Sequence, residues 1–289
     1  MANKCLSLAI HGGAGAMAGQ AYAIELAHMR GLAEAGRDRL AAGASALDVV
    51  METVQAMEAS GYYVAGRGAS ANSVGRYELD ASLMDGPTRR AGAVAALVGF
   101  ASPIRAARAV MDETRHVMLA GEGAAAFAAA QGLERVEPDW FTPARVSETK
   151  TKTAAGAGTV GCVALDETGA LAAATSTGGT QGKLFGRVGD SPIIGAGCWA
   201  DDRVAVSCTG LGEAFVRATA AAQIALRMRL AGESVEAAAA AALADVRSLG
   251  GFGGVIALSG AGEIAMPFTT SGMKRAALYP DGRVTSEIF

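Results

Sequence analysis

The chain has 289 residues, a net charge of -3, 51% hydrophobic and 18% charged residues, a balance that suits one large layered domain or two coupled halves and excludes a disordered chain. No long basic run or arginine-rich face appears, no apolar stretch is long enough to span a membrane, and MANKCLSLAIHGG is too short an apolar run for a signal peptide, so neither nucleic acid nor a membrane is expected as a partner. Cys5, Cys162, Cys198 and Cys208 form no CxxC pair, which points to reduced thiols, no zinc site and a cytoplasmic setting.

Residues 5–10 (CLSLAI) read as a buried strand that stops in a tight turn at HGGAG. Residues 45–59 read as a helix. Ser45 and Asp48 form a capping pair, Val50, Val54 and Met57 share a face, and Gly61 lies just past the end. Residues 78–84 and 90–98 are strand-like; 103–113 and 122–131 are helix-like. Residues 134–158 carry Pro138 and Pro143, many polar residues and little periodicity, and read as an exposed linker. Strand character then returns at TVGCVALD and ALAAATSTGG. A glycine-rich loop covers 178–191, strands are expected at about 193–199 and 203–208, and helices near 212–231 and 234–248. In the first of these, Phe215, Ala218, Ala222 and Ala225 are spaced for one buried face. GVIALS, EIAMPF and RAALYP close the chain as strands. Strands and helices are segregated rather than alternating, which predicts stacked layers rather than a doubly wound sheet.

His11, His28 and His116 sit in neither GxSxG nor HExxH, so a serine triad or a zincin has little support. The junction at the linker's end is the strongest chemical signal. Gly158 ends the polar stretch and Thr159 opens a buried strand. A threonine hydroxyl there is placed to attack the preceding carbonyl and release a new N-terminal threonine. A free α-amine, with a pKa of about 7.7–8.0, serves as base for its own residue's hydroxyl, so no histidine is required. Thr177, one hairpin on, is placed to hydrogen-bond the nucleophile across adjacent strands. In SCTGLGE, the Thr209 hydroxyl and nearby backbone N–H groups, with Gly210 and Gly212 leading into a helix, suit an oxyanion. In GRVGDSP, Arg187 suits a carboxylate as a forked pair and Asp190 suits an ammonium, the two charges of an amino-acid substrate.

GTVGCVALDETGALAAATSTGG, GRVGDSPIIGAGCWAD and VAVSCTGLGEAF resemble the plant-type asparaginase and isoaspartyl peptidase family; AIHGGAG, GASALDVV, AGRGA and ELDASLMDG are similar to the family's other half. The resemblance covers nearly the whole chain and is weakest in the linker, which is shorter than usual. It implies an α+β fold, a four-layer αββα sandwich of the N-terminal-nucleophile type. It further implies self-cleavage between Gly158 and Thr159 into an α subunit of residues 1–158 and a β subunit of residues 159–289, and a dimer of the cleaved pairs. By motif, Thr159 is the nucleophile, Thr177 supports it, Thr209 and Gly210 form the oxyanion hole, and substrate contacts fall at Arg187, Val188, Gly189 and Asp190 and at Thr209, Gly210, Leu211 and Gly212. The implied activity is release of L-aspartate from β-aspartyl dipeptides and L-asparagine, with no required cofactor and a structural sodium held by backbone carbonyls near Glu58–Val64.

One position departs from the family. The residue before AGRGA is usually Asn and here is Val64, which removes a hydrogen-bonding group near the nucleophile and predicts slow self-cleavage unless Tyr62 or Tyr63 replaces it. A glycosylasparaginase would have Asn where this chain has Gly178. HGGAGAM as a nucleotide-binding turn lacks the third glycine, which is Ala18.

Overall fold

Most residues in the longer strands are buried whichever face they point to, so each sheet must be covered on both sides. The computed structural model describes residues 6–142 and 158–289. In chain order the first part contains β1 (Ser7–Ala14), α1 (Ala23–Ala41), α2 (Ala46–Ser60), β2 (Leu79–Asp85), β3 (Ala91–Leu97), α3 (Pro103–Glu113), β4 (Met118–Ala120) and α4 (Gly121–Ala130). The second contains β5 (Val160–Leu165), β6 (Leu171–Thr177), β7 (Cys198–Ala200), β8 (Val204–Gly210), α5 (Gly212–Ala218), α6 (Ala220–Leu226), α7 (Val235–Ser248), β9 (Gly253–Ser259), β10 (Ile264–Ala265), β11 (Met273–Leu278) and β12 (Val284–Glu287).

The fold is α+β. One sheet runs β12-β11-β1-β5-β6-β2-β3-β4 and the other β10-β9-β8-β7. All pairings are antiparallel except β3 with β4. Helices α1, α2 and α3 pack on the larger sheet and α5, α6 and α7 gather beside the smaller. Along β5, Val160, Cys162 and Ala164 join the core beneath the helices, while Val163 and Leu165 join a second core with Ala205 and Leu258 of the smaller sheet. The outer face of the smaller sheet, through Val204, Val206 and Cys208, packs on Phe215, Ile224 and Ala239. Period-two alternation thus assigns each strand residue to one of two dry layers.

Helix α2 begins where Ser45 Oγ accepts from Asp48 N at 3.1 Å and stops at Gly61, φ 73°. Four other expectations change, the first being that the strand expected at EIAMPF shortens to β10. Strand β1 does not stop at Ile10; it continues through the glycines, with a bulge between His11 and Ala14 and Gly13 at φ 102°. The strand expected over 193–199 shrinks to β7, because Ile193 lies in a bend and Ile194 makes only an isolated bridge to Cys198 before the chain turns at Gly195, φ 95°. The helix expected over 212–231 breaks at Thr219, φ 46°, and ends in a π turn over Arg227–Ala231. The buried face accordingly rotates: Phe215, Ala218 and Ala225 are buried, Ala222 is half-buried, and Ile224 is buried as well. Of the expected linker, residues 143–157 lie outside the described residues. Its start is anchored: Phe141 stacks on Tyr77 with ring centroids 4.1 Å apart, and Thr142 N donates to Arg67 O at 2.9 Å.

Helix α3 reaches β3 by backbone contact at Gly92, where a Cβ would collide with Ala107 O and lie 2.8 Å from Met111 Cβ. Gly92→Ala should therefore cost at least the ~1–3 kcal/mol typical of overpacking, because backbone and not a flexible side chain must give way. Urea unfolding checks this, and a loss below about 0.5 kcal/mol, the scale of an ordinary surface change, would show the helix free to slide.

Candidate active site

The alternation that builds the two layers also collects the polar side chains. On β1, His11 falls on the same side as Ala9; on β6, Thr175 and Thr177 follow Ala173; on β8, Ser207 and Thr209 follow Ala205. All of them face the layer between the sheets, at the end where alanine and valine give way to hydroxyls. Thr159, directly before β5, continues the side of Gly161 and Val163. Its Oγ1 lies 3.4 Å from Thr177 Oγ1, and its side chain is buried. Its carbonyl lies 3.2 Å from His11 Nδ1.

Gly158, Thr159, Thr177, Arg187, Gly189, Asp190 and Gly210 line one small cavity. Gly179, Thr180 and Ser191, which sequence motifs did not single out, complete it. Val188 points outward and is 37% exposed. Thr209 is fully buried beside the cavity, its Oγ1 accepting from Ala14 N at 3.3 Å. Leu211 and Gly212 begin α5, with Gly212 pressed so closely against Arg187 and Asp190 that a Cβ there would lie 2.9 Å from Arg187 Nη2 and 3.0 Å from Asp190 Oδ1.

The guanidinium fork of Arg187 is already engaged. Nε donates to Glu213 Oε1 at 2.9 Å and Nη2 to Glu213 Oε2 at 3.0 Å, which leaves the Nη1 end of the group free of that pair. Burial works against the Arg187 charge, but the bonds to Glu213 and the nearby carboxylates outweigh it and raise its pKa. Asp190 is the opposite case. It is buried, and its Oδ2 has no hydrogen-bond partner. Burial pushes its pKa up to about 7, with the Arg187 charge opposing. Ser191 Oγ is likewise buried and unpartnered. A cation end and an unpaired carboxyl thus border the two threonine hydroxyls, an arrangement complementary to a zwitterion. Among the described residues, no group of three His, Cys, Asp or Glu side chains is arranged to hold a metal ion.

Val64 is buried, and its side chain closes on Gly158 so tightly that a Cβ on that glycine would collide with it. Its carbonyl accepts from Gly178 N at 2.8 Å and from Thr177 Oγ1 at 3.5 Å. Neither neighbouring tyrosine replaces the missing polar group. The Tyr63 hydroxyl lies 3.2 Å from His28 Nδ1 and donates to Glu25 O at 3.4 Å, while Tyr62 is 43% exposed.

Known proteins resemble this chain over nearly its whole length. A family profile described as Asparaginase matches residues 4–152 and 142–287. The isoaspartyl peptidase of Salmonella typhimurium is 46% identical over 311 aligned residues, covering 99% of each chain. The isoaspartyl peptidase of Escherichia coli is 46% identical, covering 98% of this chain and 95% of its own. The plant-type L-asparaginase of Pyrobaculum calidifontis is 40% identical, covering 98% and 99%.

The unpaired Asp190 carboxyl has a consequence for stability. Its pKa rises from 3.8 to about 7 on folding. Below the unfolded value both states hold the proton and there is no penalty. Between the two values the folded chain keeps a proton that the unfolded chain has lost, so stability falls as pH rises, and above about 7 the penalty is complete, at most on the order of 4 kcal/mol. Asp190→Asn should therefore raise Tm at pH 8 and lose that gain toward pH 4. Equal Tm differences at both pH values would refute the buried-charge account.

Proposed function

The chain belongs to the plant-type asparaginase and isoaspartyl peptidase family of N-terminal-nucleophile hydrolases, and from this we propose that it is a self-processing threonine amidohydrolase releasing L-aspartate from β-aspartyl dipeptides and L-asparagine. The observation that carries the reading is the single cavity in which Thr159 meets Thr177, Arg187 and Asp190. The helix-covered sheets, packed face to face through Val163, Ala173 and Ala205, support reading the α+β fold as a four-layer αββα sandwich.

In the proposed maturation, Thr159 Oγ1 attacks the Gly158 carbonyl carbon. The acyl group passes from the Thr159 nitrogen to its oxygen, and water hydrolyses the ester. A chain of residues 1–158 and one beginning at Thr159 result. In turnover, the freed α-amine takes the hydroxyl proton, Oγ1 attacks the side-chain amide carbonyl of the substrate, and the leaving amine departs with a proton. Water then releases aspartate from the enzyme ester. Because Ala14 N–H already donates to Thr209 Oγ1, the Thr209 hydroxyl hydrogen is available to the oxyanion, beside Gly210. With one edge of Arg187 bound to Glu213, the Nη1 end is left for the substrate's α-carboxylate. The unpaired Asp190 oxygen takes the α-ammonium.

The proposed assembly is a dimer of cleaved pairs, as the family resemblance implies. A structural sodium would sit on backbone carbonyls of the loop before AGRGA. The Gly61 and Tyr63 carbonyls both face the space that a Cβ on Gly68 would take, an oxygen-only donor set that fits a hard cation.

Intact-mass analysis and N-terminal sequencing should find cleavage between Gly158 and Thr159, with Thr159→Ala uncleaved and inactive on β-aspartyl-leucine and L-asparagine. A whole chain with full activity would defeat the mechanism. Val64→Asn should speed self-cleavage of newly made chain by roughly 2- to 12-fold, the worth of one hydrogen bond at ~0.5–1.5 kcal/mol. A variant that is less stable and cleaves no faster would show that the loop has been rebuilt around valine.

A further inference from the structure

His11 belongs to none of the roles above, yet it is fully buried and bonded at both ring nitrogens. Its Nδ1 faces Thr159 O at 3.2 Å and its Nε2 faces Ser207 Oγ at 2.8 Å. Ser207 Oγ lies 2.7 Å from Thr175 Oγ1, which also reaches Gly197 O at 3.0 Å. For a neutral ring the chain of bonds takes one direction. A carbonyl only accepts, so Nδ1 carries the hydrogen. A neutral ring then has Nε2 free to accept, and the Ser207 hydroxyl donates to it. With its hydrogen committed, Ser207 accepts from Thr175, whose hydrogen is shared with Gly197 O. Burial pushes the His11 pKa down to about 3, opposed by the bond to Thr159, which agrees with a neutral ring.

The path of this relay crosses β5 at Gly161. A Cβ there would collide with both Ser207 Oγ and His11 Nε2, so the relay requires glycine two residues after Thr159. The relay ties β1 of the larger sheet to β8 of the smaller one and ends on the main chain of Thr159. That residue precedes β5 and is not in its ladder.

We propose that His11, oriented by Ser207 and Thr175, is a positioning residue that holds the Thr159 carbonyl and thereby aims the Thr159 hydroxyl in both self-cleavage and turnover. The proposal rests on the reading of Thr159 as nucleophile. Cleavage frees Thr159 from the preceding chain, so the residue is then anchored by its peptide bond to Val160, its own side chain and this carbonyl bond. His11 is not among the residues lining the cavity; its effect belongs in kcat and not in KM.

Two substitutions separate the two nitrogens. In His11→Asn the amide nitrogen stands where Nδ1 was and keeps the Thr159 bond. In His11→Gln the amide stands where Nε2 was and keeps only the Ser207 side. On newly translated full-length chain, His11→Asn should self-cleave within about threefold of the parent, and His11→Gln about tenfold slower, the scale of one lost hydrogen bond. In the mature enzymes kcat should follow the same order with KM unchanged. Long-range 1H–15N spectra of the parent should show His11 as the Nδ1–H tautomer, its signal identified by its absence in the variants. Equal damage from both substitutions, a change confined to KM, or an Nε2–H tautomer would overturn the assignment. If neither variant folds, Ser207→Ala decides: it removes only the orienting hydroxyl and should slow self-cleavage by roughly 2- to 12-fold, and an unchanged rate would refute the relay. Thr159→Ala run alongside separates the two failures. If it still cleaves and hydrolyses, the nucleophile reading fails; if it is inert while the two His11 variants behave alike, the positioning role alone fails.

Discussion

The face-to-face packing of the two sheets sets the position of every group at the site. The layer between them is filled largely by small side chains, among them Ala9, Ala173, Ala200 and Ala205, which lets the sheets approach closely enough for side chains of β1, β6 and β8 to touch. At one end of the same layer stand His11, Thr175, Thr177 and Ser207. A one-residue slip in β5 would send Thr159 to the helix side with Cys162 and replace it with an apolar neighbour. The hydroxyls cannot find water in so dry a layer, so they must satisfy one another, and bonding within 2.7–3.0 Å from Ser207 through Thr175 to Gly197 is the result.

Against that background of satisfied groups the cavity stands out for what it leaves open. Asp190 Oδ2 and Ser191 Oγ are two of the four buried unpartnered side-chain atoms among the described residues, and both are on residues that line it. Arg187, by contrast, is held firmly by Glu213, so its direction is fixed before any ligand arrives. The free protein bears the destabilisation of an unpaired carboxyl at the place where a ligand's ammonium would relieve it. On the proposed function, this is the stability-for-function exchange expected of a binding site.

Much of this was legible in the sequence for local reasons. Ser45 and Gly61 carry their cap chemistry wherever they sit, and the change from polar 134–158 to TVGCVALD marks Thr159 by composition alone. The parts that escaped are those in which distance or small residues hide the signal. His11 and Ser207 are separated by 196 positions, and nothing near either one advertises the other. Helix α1 was missed because its buried face is Met29, Ala33, Gly36 and Leu40, with Gly36 pressed on Leu8; half of that stripe has little hydropathy to detect. Arg187 does line the cavity with Thr159, but its fork was assigned to a ligand, since Glu213, although it ends the SCTGLGE motif, is 26 positions away and nothing in the sequence pairs the two. Ile193 and Ile194 looked like a strand because an apolar pair cannot distinguish a ladder from a half-buried bend with one isolated bridge.

On the proposed mechanism, the departure from family pattern at Val64 is confined to one stage of the protein's life. Two different parts of the residue face the site. The carbonyl, which any amino acid supplies, accepts from Gly178 N and Thr177 Oγ1 and so helps to place the Thr177 hydroxyl beside Thr159. The side chain instead packs on Gly158. On the proposed mechanism Gly158 ceases to be joined to Thr159 once the chain is cut, so the side-chain contact matters while that bond is being broken. The carbonyl contacts do not depend on residue 64 being Asn or Val and persist into turnover. If the proposed mechanism holds, valine in place of asparagine acts on the contact with the departing chain end and leaves the support of Thr177 in place, so the proposed self-cleavage and hydrolysis, though they would share one hydroxyl, do not have to respond equally to the same substitution.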